Sequence, residues 1–260
     1  MSIISLPDGW KRFGGGRRWR TAGPRYLCEV DTEDNTPNYA RIPGTVAKIR
    51  RIKSFYAGRL QLGVLDGYGT GVDILVANSL AESLGTVPSP LSTAQLRGVY
   101  ERATGNDPGV RLDAVIRYVA GAAKYLQRRE PRYVNPLSTP GRVSVGAHHV
   151  LISTARALLP SREDAPLEQR RAETVELVCR LPAESLYAAE MAIRYLNKAY
   201  GKHLNEPPLI AATYNAGSPR PDSGNAWNLK QYGDHVDRWV AYYNTSRRSE
   251  ERRVGKECAT

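Results

Sequence analysis

Residues 72–86, VDILVANSLAESLGT, decide the fold. Apolar side chains fall on nearly every side of this stretch (Val72, Ile74, Leu75, Val76, Ala77, Leu80 and Ala81), the pattern of a helix enclosed by protein rather than laid on a surface. Glu82 stands at its end, and Gly85 supplies a stop signal just beyond. The carboxyl therefore emerges where the helix carbonyls point and the dipole is negative. Apolar surroundings and a negative dipole both disfavour the ionised form, so the group is a candidate general acid. A glutamate at a helix end is also an ordinary partner for arginine. Its neighbours along the chain decide between the two.

Outward from that helix, 260 residues with 41% hydrophobic content suffice for a sizeable core. No apolar run reaches the roughly 18 residues of a membrane span. The opening, MSIISLPDGWKRFGGGRRWR, has too short an apolar run for an export signal, with its basic residues on the wrong side. Neither a signal peptide nor a transmembrane segment is expected. Cys28, Cys179 and Cys258 show no disulfide or zinc spacing, and a buried free-thiol role is expected for the first two. The formal charge of +11 calls for an acidic partner. Basic clusters at 11–20 and 48–53 lie near Trp10, Trp19 and Tyr56, but no nucleic-acid motif accompanies them. They read as a face that steers anionic polymers, with no specific nucleic-acid partner.

Residues 1–45, rich in Gly, Pro and Arg with scattered aromatics, predict an irregular arm or small strand-containing lobe packed on the rest. Helices are expected over 45–60, 112–126, 144–159, 168–180 and 183–200, with loop and a short helix over 86–113. Pro207 and Pro208 suit the first turn of a helix that stops at Gly217, and Val236, Trp239, Val240 and Tyr243 mark the last one. The stretch REPRYVNPLSTPGR reads as a long functional loop. The expected fold is mainly α, with residues 46–246 forming the principal domain. The end, RSEERRVGKEC, looks like the in-frame translation of a sequencing adapter, so 247–260 is expected to be an artefactual tail.

Three pieces stand in order: A-E-S at 81–83, S-x-G-x-x-H-x-x-x-x-T-A at 144–155, and A-T-Y-N-A-G at 212–217. This order resembles the soluble lytic transglycosylases of the lysozyme-like superfamily, whose pattern is E-S, then S-x-x-G-L-M-Q with a downstream T-A, then A-Y-N-A-G. The likeness covers residues 72–243. Phage and bacterial relatives of that family add E-P-x-Y, T-P, P-x-G-W and R-R-W. Here these stand as Glu130, Pro131 and Tyr133, then Thr139 and Pro140, then 7–10 and 17–19.

The resemblance implies a lysozyme-like helical domain of the goose-type kind, with an irregular N-terminal arm and room for a small β element. It implies cleavage of the MurNAc–GlcNAc β-1,4 bond of peptidoglycan. Glu82 would protonate the leaving oxygen and then, ionised, take the proton of the sugar's own 6-hydroxyl to close a 1,6-anhydro ring. Ser83, Ser144, Gly146, His149, Tyr214 and Asn215 would bind substrate around it, Tyr214 and Asn215 holding Glu82 and an N-acetyl group. His149 departs from the family's Gln, and His148 from its Met. Adjacent histidines on a helix diverge by about 100° and lack a third ligand, so no metal site and no cofactor are expected. The long gap between Glu82 and Ser144 leaves room for a second carboxylate, Glu101, Asp107 or above all Glu130, and so for hydrolysis of the lysozyme type. A catalytically silent wall-binding or virion protein of the same fold is the third reading. Lack of an export signal fits delivery with a phage particle. The sequence does not set the oligomeric state.

Overall fold

The structure, a computed structural model, describes residues 3–23, 25–31, 44–83, 91–104, 144–159 and 165–249. Over these the chain is mainly helical, with a small antiparallel sheet at its N-terminal end. It divides into two compact units, residues 1–81 with 196–260, and residues 82–195.

The first unit opens on four strands, β1 (Ile3–Ser5), β2 (Lys11–Phe13), β3 (Arg18–Ala22) and β4 (Leu27–Val30), paired antiparallel in chain order. Of the two forms expected for the arm, its described residues take the strand-containing one, a regular meander in which Gly9, at φ +80°, sits in the β1–β2 connection. In β3 the alternation is plain. Trp19 is fully buried, while Arg18 and Arg20 reach the other face and flank the Trp10 ring at 5.3 and 5.0 Å. The Trp19 indole N–H donates to Glu206 Oε2 (2.7 Å), and Lys11 pairs with the other oxygen of the same carboxylate.

Helix α1 (Thr45–Tyr56) buries Ile49 and Tyr56. Helix α2 (Gly71–Ser83) is apolar all round, as its sequence predicts, with Ile74, Leu75, Val76, Ala77, Leu80 and Ala81 all buried. Its first turn carries a buried carboxylate, Asp73, which Lys53 (2.8 Å) and Arg247 (2.9 Å) neutralise and to which Ser246 donates a hydrogen bond. Among the described residues this unit also holds two C-terminal helices and the end of a helix shared with the second unit. Helix α7 (Pro207–Ala216) begins on two prolines and ends at Gly217 with φ +83°, where the left-handed backbone suits glycine. Helix α8 (His235–Arg248) packs on α7 and buries Val236, Trp239, Val240 and Tyr243. The Asn244 side chain on α8 accepts from the Cys28 N–H (2.9 Å) and donates to the Cys28 carbonyl (2.8 Å), serving β4 as another strand would.

The second unit begins with the last residues of α2. It then contains α3 (Thr93–Thr104), a hairpin of β5 (Ser144–Val145) with β6 (Val150–Leu151), α4 (Ile152–Leu158), α5 (Leu167–Ala183) and the first half of α6 (Ser185–His203). Helix α5 is the hub, packing against α3, α4 and β5. Glu184, at the α5–α6 junction, accepts from Thr93 Oγ1 (2.6 Å) and Arg180 Nε (2.7 Å).

Residues 144–159 are not a single helix: the helix begins at Ile152, and Ser144 through Leu151 form the hairpin. Ser144 is therefore no helix cap, and the adjacent histidines lie in a turn. Gly146 at φ +80° breaks any helix through this point. The expected helix at 112–126, the loop at 129–142 with Glu130, Pro131, Tyr133, Thr139 and Pro140, and Asp107 lie outside the described residues. Among the described residues no helix is long and apolar enough to cross a membrane. Cys28 and Cys179 are buried free thiols, and burial pushes the Cys179 thiol up to about 11.

Candidate active site

Glu82 occupies the last turn of α2 between two buried residues, Ala81 and Ser83. Its side chain is 13% exposed, so the apolar helix delivers a carboxyl that is mostly, not wholly, withdrawn from water. Ser83 fixes the helix end in place. Its Oγ donates to the carbonyl of Ala147 at 2.7 Å, which ties α2 to the turn of the β5–β6 hairpin.

That turn has little freedom. A Cβ on Gly146 would stand 2.6 Å from the Leu181 carbonyl oxygen, and φ is +80° there, so α5 and the backbone both require glycine. The His149 N–H closes the turn on the Gly146 carbonyl (3.1 Å), and the Val145–Val150 pair locks its base. Within it the histidines part company. His148 is fully buried, and that burial brings its imidazole down to about 3; the Glu82 carboxylate opposes the shift and His149 adds to it. His148 is therefore a neutral ring at any ordinary pH. His149 adopts φ +44° and brings Nδ1 to 3.7 Å from Glu82 Oε2, with its side chain 7% exposed.

Five of the residues singled out from sequence thus gather in the second unit: Glu82, Ser83, Ser144, Gly146 and His149. Ser144 is half-buried at the start of β5, opposite Leu151. Tyr214 and Asn215 belong to the first unit. There Tyr214 is buried in the last turns of α7, and Asn215 Oδ1 accepts from the Tyr232 backbone N–H (2.7 Å). Glu101 is exposed on α3, and Glu130 lies outside the described residues. A cavity of about 530 Å³ also opens in the second unit, lined by Arg97, Leu159, Glu173, Glu176 and Tyr187 among others. None of the residues predicted from sequence lines it.

One participant was not foreseen: the Ala147 carbonyl is a backbone acceptor and leaves no mark in sequence. His148, noted in the sequence beside His149, lies in a turn rather than on a helix, and the signal for that turn is V-G-x-x-x-V, two β-branched residues flanking a glycine turn.

No family model matches the chain, and no curated protein or solved structure gives a significant match. The chemistry of the site rests on its own geometry. A largely buried carboxyl at the end of α2 stands beside an imidazole of the hairpin turn, the two kinds of group that general acid–base chemistry uses. Among the described residues no group of His, Cys, Asp and Glu has the arrangement of a metal site.

Proposed function

We propose that this protein is a peptidoglycan lytic transglycosylase of lysozyme-like fold. It cleaves the MurNAc–GlcNAc β-1,4 bond with Glu82 as acid and then base, leaving 1,6-anhydro-MurNAc ends. The observation that carries this reading is the seating of Glu82 at the end of an apolar helix, beside the S-x-G turn that the motif order pairs with it. The first step asks for a carboxyl largely withdrawn from water, and the Glu82 side chain is 13% exposed. The second step needs no activated water, because the substrate supplies the nucleophile from its own ring. A surplus of basic residues, +11 over the chain, favours approach to an anionic wall.

The test is product analysis on purified sacculi. Wild type releases muropeptides with anhydro ends, and Glu82→Gln, an isosteric change, lowers release by about 1000-fold or more while the melting temperature holds. Reducing ends instead would assign a lysozyme-type hydrolase. Binding to sacculi without release of fragments would make the protein a wall-binding one, and release at wild-type rate by Glu82→Gln would remove Glu82 from the reaction.

A further inference from the structure

We propose that His149 is a positioning residue for Glu82 rather than a substrate contact: its imidazole, facing Oε2, holds the carboxyl in the orientation it needs. The inference rests on Glu82 being the acid of the proposed reaction. Four observations point to it. The His149 Nδ1 faces Glu82 Oε2 at 3.7 Å, and a closure of about 0.7 Å brings the pair into hydrogen-bond range. Both side chains are largely withdrawn from water, at 7% and 13% exposure, where such a contact is least screened. The residue holds φ +44°, a conformation costly to any residue with a Cβ, and strain of that kind persists where the surroundings over-determine it. Those surroundings are the Val145–Val150 pair, the His149 N–H to Gly146 bond, and the Ser83 bond to Ala147.

The division of labour within the turn supports the same assignment. His148 is fully buried, and His149 is the histidine of the turn whose Nδ1 faces Glu82 Oε2. An imidazole N–H aimed at one carboxyl oxygen does two things. It fixes the plane of the group, and it steadies the carboxylate left behind once the proton has gone to the leaving oxygen. An amide in the same place donates equally well.

The strained backbone makes a clean test possible. His149→Gly removes the ring and relaxes φ, so the hairpin is retained, and it leaves a space of imidazole size beside Glu82. On sacculi, His149→Gly is expected to lose about 10- to 100-fold in kcat with little change in KM. Millimolar free imidazole should restore much of that loss, and His149→Gln should stay near wild type. A second measurement is independent of turnover: in nitrogen-15 imidazole spectra, Glu82→Gln should shift the His149 Nδ1 resonance. Wild-type kcat in His149→Gly overturns the proposal. So does equal loss in the Gly and Gln variants without imidazole rescue, or an unmoved Nδ1 resonance. If the resonance moves but wild type releases no fragments, the anchoring stands and only the transglycosylase reading falls.

Discussion

His148 shows how one side chain's burial reaches the stability of the protein. In the unfolded chain it takes up a proton near its ordinary 6.5; in the fold, desolvation holds it down to about 3. Above pH 6.5 both states carry a neutral ring and the residue makes no pH-dependent contribution. Between 6.5 and 3 the unfolded chain binds a proton that the folded chain refuses, so stability falls as pH falls. The slope is about 1.4 kcal/mol per pH unit. Denaturant titrations at pH 7 and pH 5 should therefore show wild type losing about 2 kcal/mol more than His148→Met, whose thioether does not titrate. Equal losses in the two proteins would mean that His148 is hydrated in solution. Glu82 draws on the same economy of space: its neighbours Ala81 and Ser83 are buried, and the chain has placed one carboxyl where water is scarce.

At the level of elements, the β5–β6 hairpin is the part on which the site's geometry rests, and Gly146 is its most constrained point. Alanine there meets the Leu181 carbonyl oxygen at 2.6 Å and must adopt φ +80°. The two penalties together amount to about 2–4 kcal/mol. Gly146→Ala should lower the urea midpoint accordingly and should also disturb the Glu82–His149 approach, so activity ought to fall by more than stability alone explains. Thermal melts and sacculus assays on one preparation check both.

This hairpin is also where sequence pattern and structure diverge. The run after it, I-S-T-A-R-A-L, has helical character and does form α4. Two-residue strands are too short to show alternation against such a neighbour, so the helical period spread backwards over them. In α2, α7 and α8, by contrast, long apolar spacing and terminal Pro and Gly left no competing reading. The site followed the same division. Glu82, Ser83, Gly146 and His149 were legible as neighbours because their side chains, or the lack of one, are written in the motifs. What Ser83 would hold was not, since its acceptor is a carbonyl that any residue at 147 would offer. The N-terminal meander was half legible: its aromatics asked for burial, while its many glycines and prolines left an irregular arm and a small strand-containing lobe both open.

Over the whole chain, the first unit is assembled from two distant segments, and Asp73 is where they meet electrically. Its carboxylate is nearly inaccessible, 4% exposed, and is satisfied from α1 by Lys53 and from α8 by Arg247 and Ser246. Arg247, the first residue of the stretch read as a tail, also donates to the carbonyls of Arg25 (2.7 Å) and Gly69 (2.8 Å). Removing the central anion leaves two cations facing each other with nothing between them. Asp73→Ala should cost about 3–5 kcal/mol, measured by chemical denaturation. A loss below about 1 kcal/mol, the worth of a surface pair, would show that water replaces the carboxylate.

The bond from Cys28 to Asn244 spans 216 positions, and it has a consequence for synthesis on the ribosome. At ordinary elongation rates β4 waits about 10 to 40 s for the helix that completes it. Meanwhile residues 82–195, contiguous in the chain, have already emerged and are free to fold. The middle of the polypeptide can thus mature before its beginning, and until then the nascent N-terminal strands carry an open edge and an uncovered Trp19 that a chaperone would recognise.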